Sequence, residues 1–471
     1  MITQLASTGG FRLGLDWSRP AENIDMQCAV QALECEFDRE DGALRTVPGV
    51  RTVFEAGIEV ESLYYDVYRR KWYYSNNRDL YTTDLITSEK IGTLTGSRKP
   101  VYYSYGGDIL IASGGKLQAI SGAGEVSIID SPDCDFVSSN AGSVLISSIY
   151  GHRITWSAIG DYNSWVTDNN DASSAQYVEV GYKDKGNIVA VDFLSQSIIV
   201  YKEYGRVYQV IGNPHDKTLS VLPLSQTGFC AGSALSIDDR SYYVGEVGLM
   251  SFTPTNTYAN IQPFETGLNI NAWLLKEVTT SCEMWHVPNR KQIWIKPKAG
   301  EQIVLYHYIP RYSDGRGVFT SRTLVFDLHE VVSHDDDVYL AYGTKIAILD
   351  EELNTDNGKQ IQTSIIGCNR LATGLFILLL SYNFVSHNII PGYGSIQISN
   401  KTPKAVTFDS QETKLYDANM DLNTYDIKMH AGEYTKVFKV GGGPNRNVQV
   451  KILVQKGAIS LRQFDYNYQE V

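Results

Sequence analysis

The densest grouping of metal-type ligands in this 471-residue chain is His329, His334 and the run Asp335-Asp336-Asp337. Imidazole nitrogens with carboxylate oxygens suit first-row transition metals. A hydrolytic zinc site of the His-Glu-x-x-His kind holds its histidines at helical spacing, and these two are spaced otherwise. A tight turn between two strands uses the same polar residues, so no metal ligand is expected here. Two oxygen-rich runs, Asp168-Asn169-Asn170-Asp171 and Asn354-Thr355-Asp356-Asn357-Gly358, raise the question of a hard cation. Neither has the spacing of a twelve-residue calcium loop with its closing Glu, and both read as turns.

Signals for covalent or transfer chemistry are equally thin. The chain has no Gly-x-Ser-x-Gly elbow, phosphate loop or dinucleotide fingerprint. The other histidines, His152, His215, His286, His307, His387 and His430, are scattered. Ser313-Asp314-Gly315-Arg316-Gly317 comes nearest to the Ser-x-Asp-x-Gly-x-Thr-Trp box of sialidases, but its spacing is wrong and the closing Thr-Trp is missing. Glycosidases need two carboxylates, and 53 acidic residues guarantee chance pairs without singling one out. Arg69-Arg70-Lys71 beside Trp72-Tyr73-Tyr74, and Arg290-Lys291 before Ile293-Trp294, could grip a strand of nucleic acid by charge and stacking. Hairpin turns with solvated basic residues explain them more simply. A formal net charge of −12 also argues against a nucleic-acid clamp, which needs a basic face to displace counterions. The expectation is therefore a chain that is not an enzyme, with no catalytic, cofactor-binding or metal-binding residues. Asp168, Asp171, His334, Asp335, Asp336 and Asp337 remain as candidate loops facing a lumen or a partner.

The elements that would position these loops are almost all strands. Tyrosine (31) and glycine (40) are abundant, which suits half-buried pleats joined by turns that need positive φ. Between residues 56 and 352 one pattern recurs: strand, polar turn, strand, Gly or Asn turn, strand. The first copy runs Ser62-Leu63-Tyr64-Tyr65, Trp72-Tyr73-Tyr74, Leu80-Tyr81; the fourth runs Ile188 to Val191, Ser197 to Tyr201, Val207 to Val210. Units of about 40–50 residues of this kind mark propeller blades, and seven copies can be traced. The fold expected is all-β: an irregular β-propeller of about seven blades, an N-terminal arm over 1–55, and an antiparallel, sandwich-like domain over 353–471. One short helix is expected between Asn269 and Val278, with Asn269 as its cap.

Six cysteines, Cys28, Cys35, Cys134, Cys230, Cys282 and Cys368, show no Cys-x-x-Cys spacing. They read as buried thiols of a protein made in a reducing cytoplasm. The segment from Met1 to Leu15 lacks the basic start and apolar core of a signal peptide. The run Leu375 to Leu380 is too short to cross a membrane, which takes about 20 residues, and is expected as a core strand.

Three segments together resemble the tail nozzle family of short-tailed bacteriophages, also called tail hub, tail tubular protein B or packaged-DNA stabilisation protein. The first runs from Ala32-Leu33-Glu34-Cys35-Glu36-Phe37 through Asp41-Gly42-Ala43-Leu44-Arg45-Thr46-Val47-Pro48-Gly49-Val50; the family has a strand, an Asp-Gly turn and Arg-Pro-Gly there, and Arg45 falls two places early. The second is Arg153-Ile154-Thr155-Trp156-Ser157-Ala158-Ile159-Gly160-Asp161-Tyr162-Asn163-Ser164-Trp165, followed by Ile198 to Tyr201, Gly205-Arg206-Val207-Tyr208, Gly228-Phe229-Cys230 and Glu246-Val247-Gly248-Leu249. The third is the closing strand with Leu461-Arg462-Gln463-Phe464-Asp465-Tyr466; the family's basic ending is replaced by Gln469-Glu470-Val471.

The resemblance implies a virion protein assembled in the bacterial host cytoplasm, a homo-hexamer around a channel. It implies partners on both sides: the tail adaptor, or head-to-tail connector, and a distal needle, spike or fibre. Viral DNA would be retained, then pass through without specific binding, and no membrane partner or cofactor is implied. The competing expectation is a carbohydrate-binding or carbohydrate-active propeller, in which Trp72, Tyr73, Trp285 and Trp294 would stack on sugars.

Overall fold

The computed structural model describes residues 4–21, 23–38, 42–148, 151–194, 197–225, 234–254, 261–300, 302–308, 317–368, 370–371, 377–399, 422–429, 432–439 and 447–470. Gly228-Phe229-Cys230, Ser313 to Arg316, Leu375-Phe376 and His430 lie outside the described residues.

Seven four-stranded antiparallel meanders follow one another along the chain. Blade one is Ser62–Asp66, Lys71–Asn76, Asp79–Thr83 and Ser88–Thr93. Blades two and three share the long strand Val126–Asn140. Its first part closes blade two against Gly115–Ile120, and its second part opens blade three against Ser143–Ser148. Blade four runs from Ile188–Leu194 to Ser220–Ser225, and blade five from Ala234–Ile237 to Ile261–Glu265. Blade six is Glu283–Val287, Gln292–Lys296, Gln302–His307 and Val318–Thr323. In blade seven, Glu330–His334, Asp337–Tyr342 and Lys345–Asp350 come from the end of the repeat region, and the fourth strand is Gly49–Glu55 from its beginning. Splitting the last blade between the two ends of the repeat region ties the ring shut.

The alternation inside each strand explains why the blades stack. Each face of a middle strand points at a different neighbour, so the core of the described residues divides into seven clusters at the blade interfaces, the one between blades five and six extending into the N-terminal strands and the C-terminal sheet. Tyr73 and Leu80 of blade one meet Ile109 and Ile111 of blade two. Trp156 of blade three meets Ile198 and Val200 of blade four. Trp285 and Trp294 of blade six meet Leu340 and Tyr342 of blade seven. The ring closes where Ala341 and Ile346 of blade seven pack on Leu63 and Trp72 of blade one. Each such side chain, fully buried, stabilises the fold by about 1.5–3 kcal/mol.

The N-terminal arm expected over 1–55 is not a separate unit. Cys28–Leu33 lies parallel to the outer strand of blade six (Ser321 opposite Leu33) and antiparallel to Thr363–Gly367. Thr363–Gly367 in turn pairs with the 24-residue strand Asn447–Glu470, which pairs along most of its length with the 23-residue strand Ile377–Ser399. One continuous sheet thus runs from blade six into the C-terminal domain. The propeller accordingly begins at Gly49, not at residue 56. The expected turn at Asn354 to Gly358 belongs to the small hairpin of Thr355–Asp356 and Lys359–Gln360, laid on blade seven. The two long C-terminal strands break register between Asn388 and Gly394. Glycine is required there: a Cβ on Gly392 would lie 1.9 Å from the Lys456 carbonyl oxygen, and Gly457 has φ +91°.

The helix is present as Asn271–Glu277, but Ile270 holds its cap position without a side-chain bond. Asn271 instead ties strands of blade five, accepting from the Leu249 N–H at 3.0 Å and donating to Glu265 at 2.8 Å. No helix among the described residues is long and apolar enough to cross a membrane.

Candidate functional site

The most heavily built polar region is the joint where the N-terminal strands, blade six, blade seven and the C-terminal sheet meet. Glu34 ends the strand Cys28–Leu33 in the left-handed conformation (φ 55°). That kink turns the chain into Cys35–Phe37, which pairs with Leu44–Thr46. Two carboxylates two residues apart then enter two different networks.

Glu36 is buried and receives two arginines. Arg45 Nε donates to its Oε1 at 2.9 Å from the paired strand. Arg290, on the first turn of blade six, donates Nε to Oε2 at 2.9 Å and its Nη2 to Oε1. Gln292 adds a third donor at 3.0 Å, and Glu351 bridges both arginines at 3.0 Å. Burial pushes the Glu36 carboxyl up, but Arg290 and Arg45 outweigh it and hold it well below the usual carboxylate range. Beside them, burial drives His307 down to about 3, so the imidazole stays neutral against Phe37.

Arg322, on the outer strand of blade six, is 1% exposed. It donates to Asp356 at 2.7 Å and to the Pro48 carbonyl at 3.0 Å. Glu34 Oε2 lies 3.8 Å from Arg322 Nε, and neither atom has a hydrogen-bond partner. Burial therefore dominates at Glu34 over the attraction of Arg322, and the carboxyl is pushed up to about 7.

A second polar region lies at the starts of blades six and seven. The linker from blade one to blade two sends Lys99 to Glu283 (2.7 Å) and Glu330 (3.0 Å), at the starts of blades six and seven. Its ammonium also donates to the His329 carbonyl at 2.5 Å. Burial would lower this lysine, but Glu330 and Glu283 hold it above the ordinary value. A cavity of about 530 Å³ opens here, lined by Lys99, Val101, Cys282, Trp285, Lys296 and Glu330. Because Lys99 is 35% exposed, Lys99→Met should cost only about 1–2 kcal/mol, between a surface and a buried pair. A urea midpoint lowered by that amount, with an unchanged slope, is the expected measurement; no shift would mean that the clasp carries no load.

The six candidate loop residues fall in two places. Asp168 and Asp171 sit in the long loop between the third and fourth strands of blade three, where each accepts from backbone N–H groups two residues on (Asn170 at 2.8 Å, Ser173 at 2.9 Å). His334, Asp335, Asp336 and Asp337 form the first turn of blade seven. Both loops leave the same face of the ring, since first-to-second and third-to-fourth connections share one face of a meander. His334 stacks on Tyr65 of blade one with centroids 3.7 Å apart, and Asn289 holds the Asp335 and Asp337 carbonyls at 2.8 and 3.2 Å. The structure does not bring the two loops together, and no metal-type cluster occurs among the described residues.

The basic runs are also committed elsewhere. Arg69 pairs with Asp66 at 2.7 Å and donates to Gly107 and Ile120 carbonyls of blade two, stapling two blades together. Trp72, Tyr73, Trp285 and Trp294 are buried between blades, and Trp285 also lines the cavity beside Lys99. Sequence reasoning missed the joint because its charges are far apart in the chain. The available signal was Glu34 and Glu36 inside an otherwise apolar strand.

No protein-family model and no curated protein matches the chain. Solved structures of similar form include the WD40 domain of Neurospora crassa Pan2 (9% identity, TM-score 0.41, 66% of this chain and 97% of that one). BamB from Moraxella catarrhalis matches at 10% identity and TM-score 0.40, over 69% of this chain and 94% of its own. The extracellular domain of the hybrid two component system BT4673 from B. thetaiotaomicron matches at 12% identity and TM-score 0.46, over 88% of this chain and 61% of its own.

Proposed function

We propose that this chain is a non-enzymatic ring subunit of a bacteriophage tail nozzle, joining six copies around a channel between the adaptor and a distal needle, spike or fibre. The observation that carries the reading is the placement of Ala32 to Val50, the segment that bears the likeness at the start of the chain. Within it, Glu34, Glu36 and Arg45 lie at the joint, and Pro48 leads into the strand that closes blade seven. A nozzle subunit must transmit load between neighbours above and below it, and a continuous sheet with buried charge at the joint suits that task.

In this reading DNA travels between copies and not along the axis of one propeller. Tyr64 stacks on Tyr102, Tyr65 on His334, and Lys99 pairs with Glu283, so neighbouring blades of one ring are tied to each other by side chains. The net charge of −12 favours passage over adhesion, because an acidic wall offers phosphates no counterion exchange. The test uses DNA-filled heads that carry portal and adaptor but no distal tail parts. Added protein should protect the packaged DNA from nuclease; heads that leak equally with and without it would remove the proposal.

A further inference from the structure

Cys28 opens the strand Cys28–Leu33, and Cys368 follows the strand Thr363–Gly367. The two strands are antiparallel, with Ala29 opposite Gly367. Continued one step past the end of the strand Thr363–Gly367, that register would set Cys28 opposite Cys368. Directly opposite residues of an antiparallel pair have Cα atoms about 4.5–5.5 Å apart and side chains on the same face. A disulfide needs about 4.4–6.8 Å between Cα atoms. The two sulfurs are also close enough that negative charge on Cys368 disfavours the Cys28 thiolate. The other described cysteines, Cys35, Cys134 and Cys282, are buried, and none stands opposite another cysteine in a described strand pair.

The position of the pair in the fold gives such a bond a purpose. Cys28 lies just before the strands that lead into blade seven, and Cys368 lies just after the last strand that links the propeller to the C-terminal sheet. A bond between them would enclose all seven blades in one covalent loop, doubling the closure that Gly49–Glu55 provides by hydrogen bonds.

We propose that Cys28 and Cys368 form a reversible disulfide that locks the propeller shut at the point where the chain enters and leaves it. The oxidant is a small-molecule disulfide. Cys368 is half-buried and lines a narrow crevice with Thr8, Met26 and Tyr466, whereas Cys28 is 4% exposed. The Cys368 thiolate attacks one sulfur of the reagent, forms a mixed disulfide and releases one thiol. The Cys28 thiolate then attacks the Cys368 sulfur and releases the second thiol. Two protein thiols are oxidised, one small disulfide is reduced, and the two protons leave on the released thiols. Burial raises the Cys28 thiol to about 12, so the second step is slow at neutral pH and accelerates as pH rises. The proposal concerns the purified chain and does not depend on the phage reading.

The test is incubation of the reduced full-length protein with oxidised glutathione at mildly alkaline pH, followed by intact mass and peptide mapping without reductant. The expected result is a loss of two hydrogens, a cross-linked peptide containing Cys28 and Cys368, and a melting temperature several degrees above that of the reduced protein. Cys28→Ser should stop at glutathione on Cys368, and Cys282→Ser should behave as the native sequence does. Wild-type protein that carries glutathione on Cys368 without the cross-link, or that remains fully reduced, would overturn the proposal. Because the peptide map is read on the native sequence, a poorly folding variant would not obscure it.

Discussion

Arg322→Leu should destabilise the protein by about 3–5 kcal/mol, the usual cost of removing one partner from a buried ion pair. The leucine fills much of the volume but leaves Asp356, 3% exposed, without its cation, and the Pro48 carbonyl without its donor. Glu34 loses the Arg322 guanidinium as well. Urea denaturation at neutral pH measures the loss; a change below about 1 kcal/mol would show that water reaches the site and takes over the solvation.

The same network fixes a pH dependence. Glu34 has an ordinary value of 4.5 when exposed and about 7 in the fold. The raised value means that the folded state holds the proton more tightly. Its contribution is complete below pH 4.5, falls as pH rises, and is gone above about 7. The shift corresponds to on the order of 3 kcal/mol. Glu34→Gln should flatten this part of the stability profile, which a series of urea titrations across the window would record. An unchanged slope would place the titration elsewhere.

Glu36→Ala should be the second large loss, about 3 kcal/mol. Arg45 and Arg290, 17% and 12% exposed, would then face each other with the half-exposed Glu351 shared between them and Asp38 on Arg45 alone. Here the sign of the pH effect is opposite. The Glu36 carboxyl is lowered in the fold, so its stabilisation is present above the ordinary value of 4.5 and is lost as pH falls through the folded value. The gap between native protein and Glu36→Ala should therefore be full at neutral pH and shrink in acid. Hydrogen exchange at Leu44–Thr46 gives a local readout: faster exchange there, with blades one to four unchanged, is expected. Uniform acceleration everywhere would mean that the joint has no local role.

The blades were legible in the sequence because their second strands are buried on both faces and are set off by polar or Gly turns. Their outer strands were not. Ser88–Thr93 is mostly polar, Ser220–Ser225 is interrupted by Pro223, and neither buries a residue, so they carry no alternation to read. Gly49–Glu55 pairs with residues about 300 positions away, and local periodicity cannot report such a partner. Glu36, Arg45, Arg290 and Glu351 look like four ordinary surface charges in the sequence; only the kink at Glu34 brings them to one point. The acidic turns at Asp168 and at His334 to Asp337 were legible as turns, and in the structure Asp168 accepts a local turn bond and His334 stacks on Tyr65.

The ring itself is the most direct test of the proposed function. Light scattering and negative-stain imaging of the purified chain, alone and mixed with an isolated tail adaptor complex, give mass and symmetry together. The account predicts a six-fold ring, either free or formed on the adaptor. A monomer that ignores the adaptor at every concentration tried would contradict it.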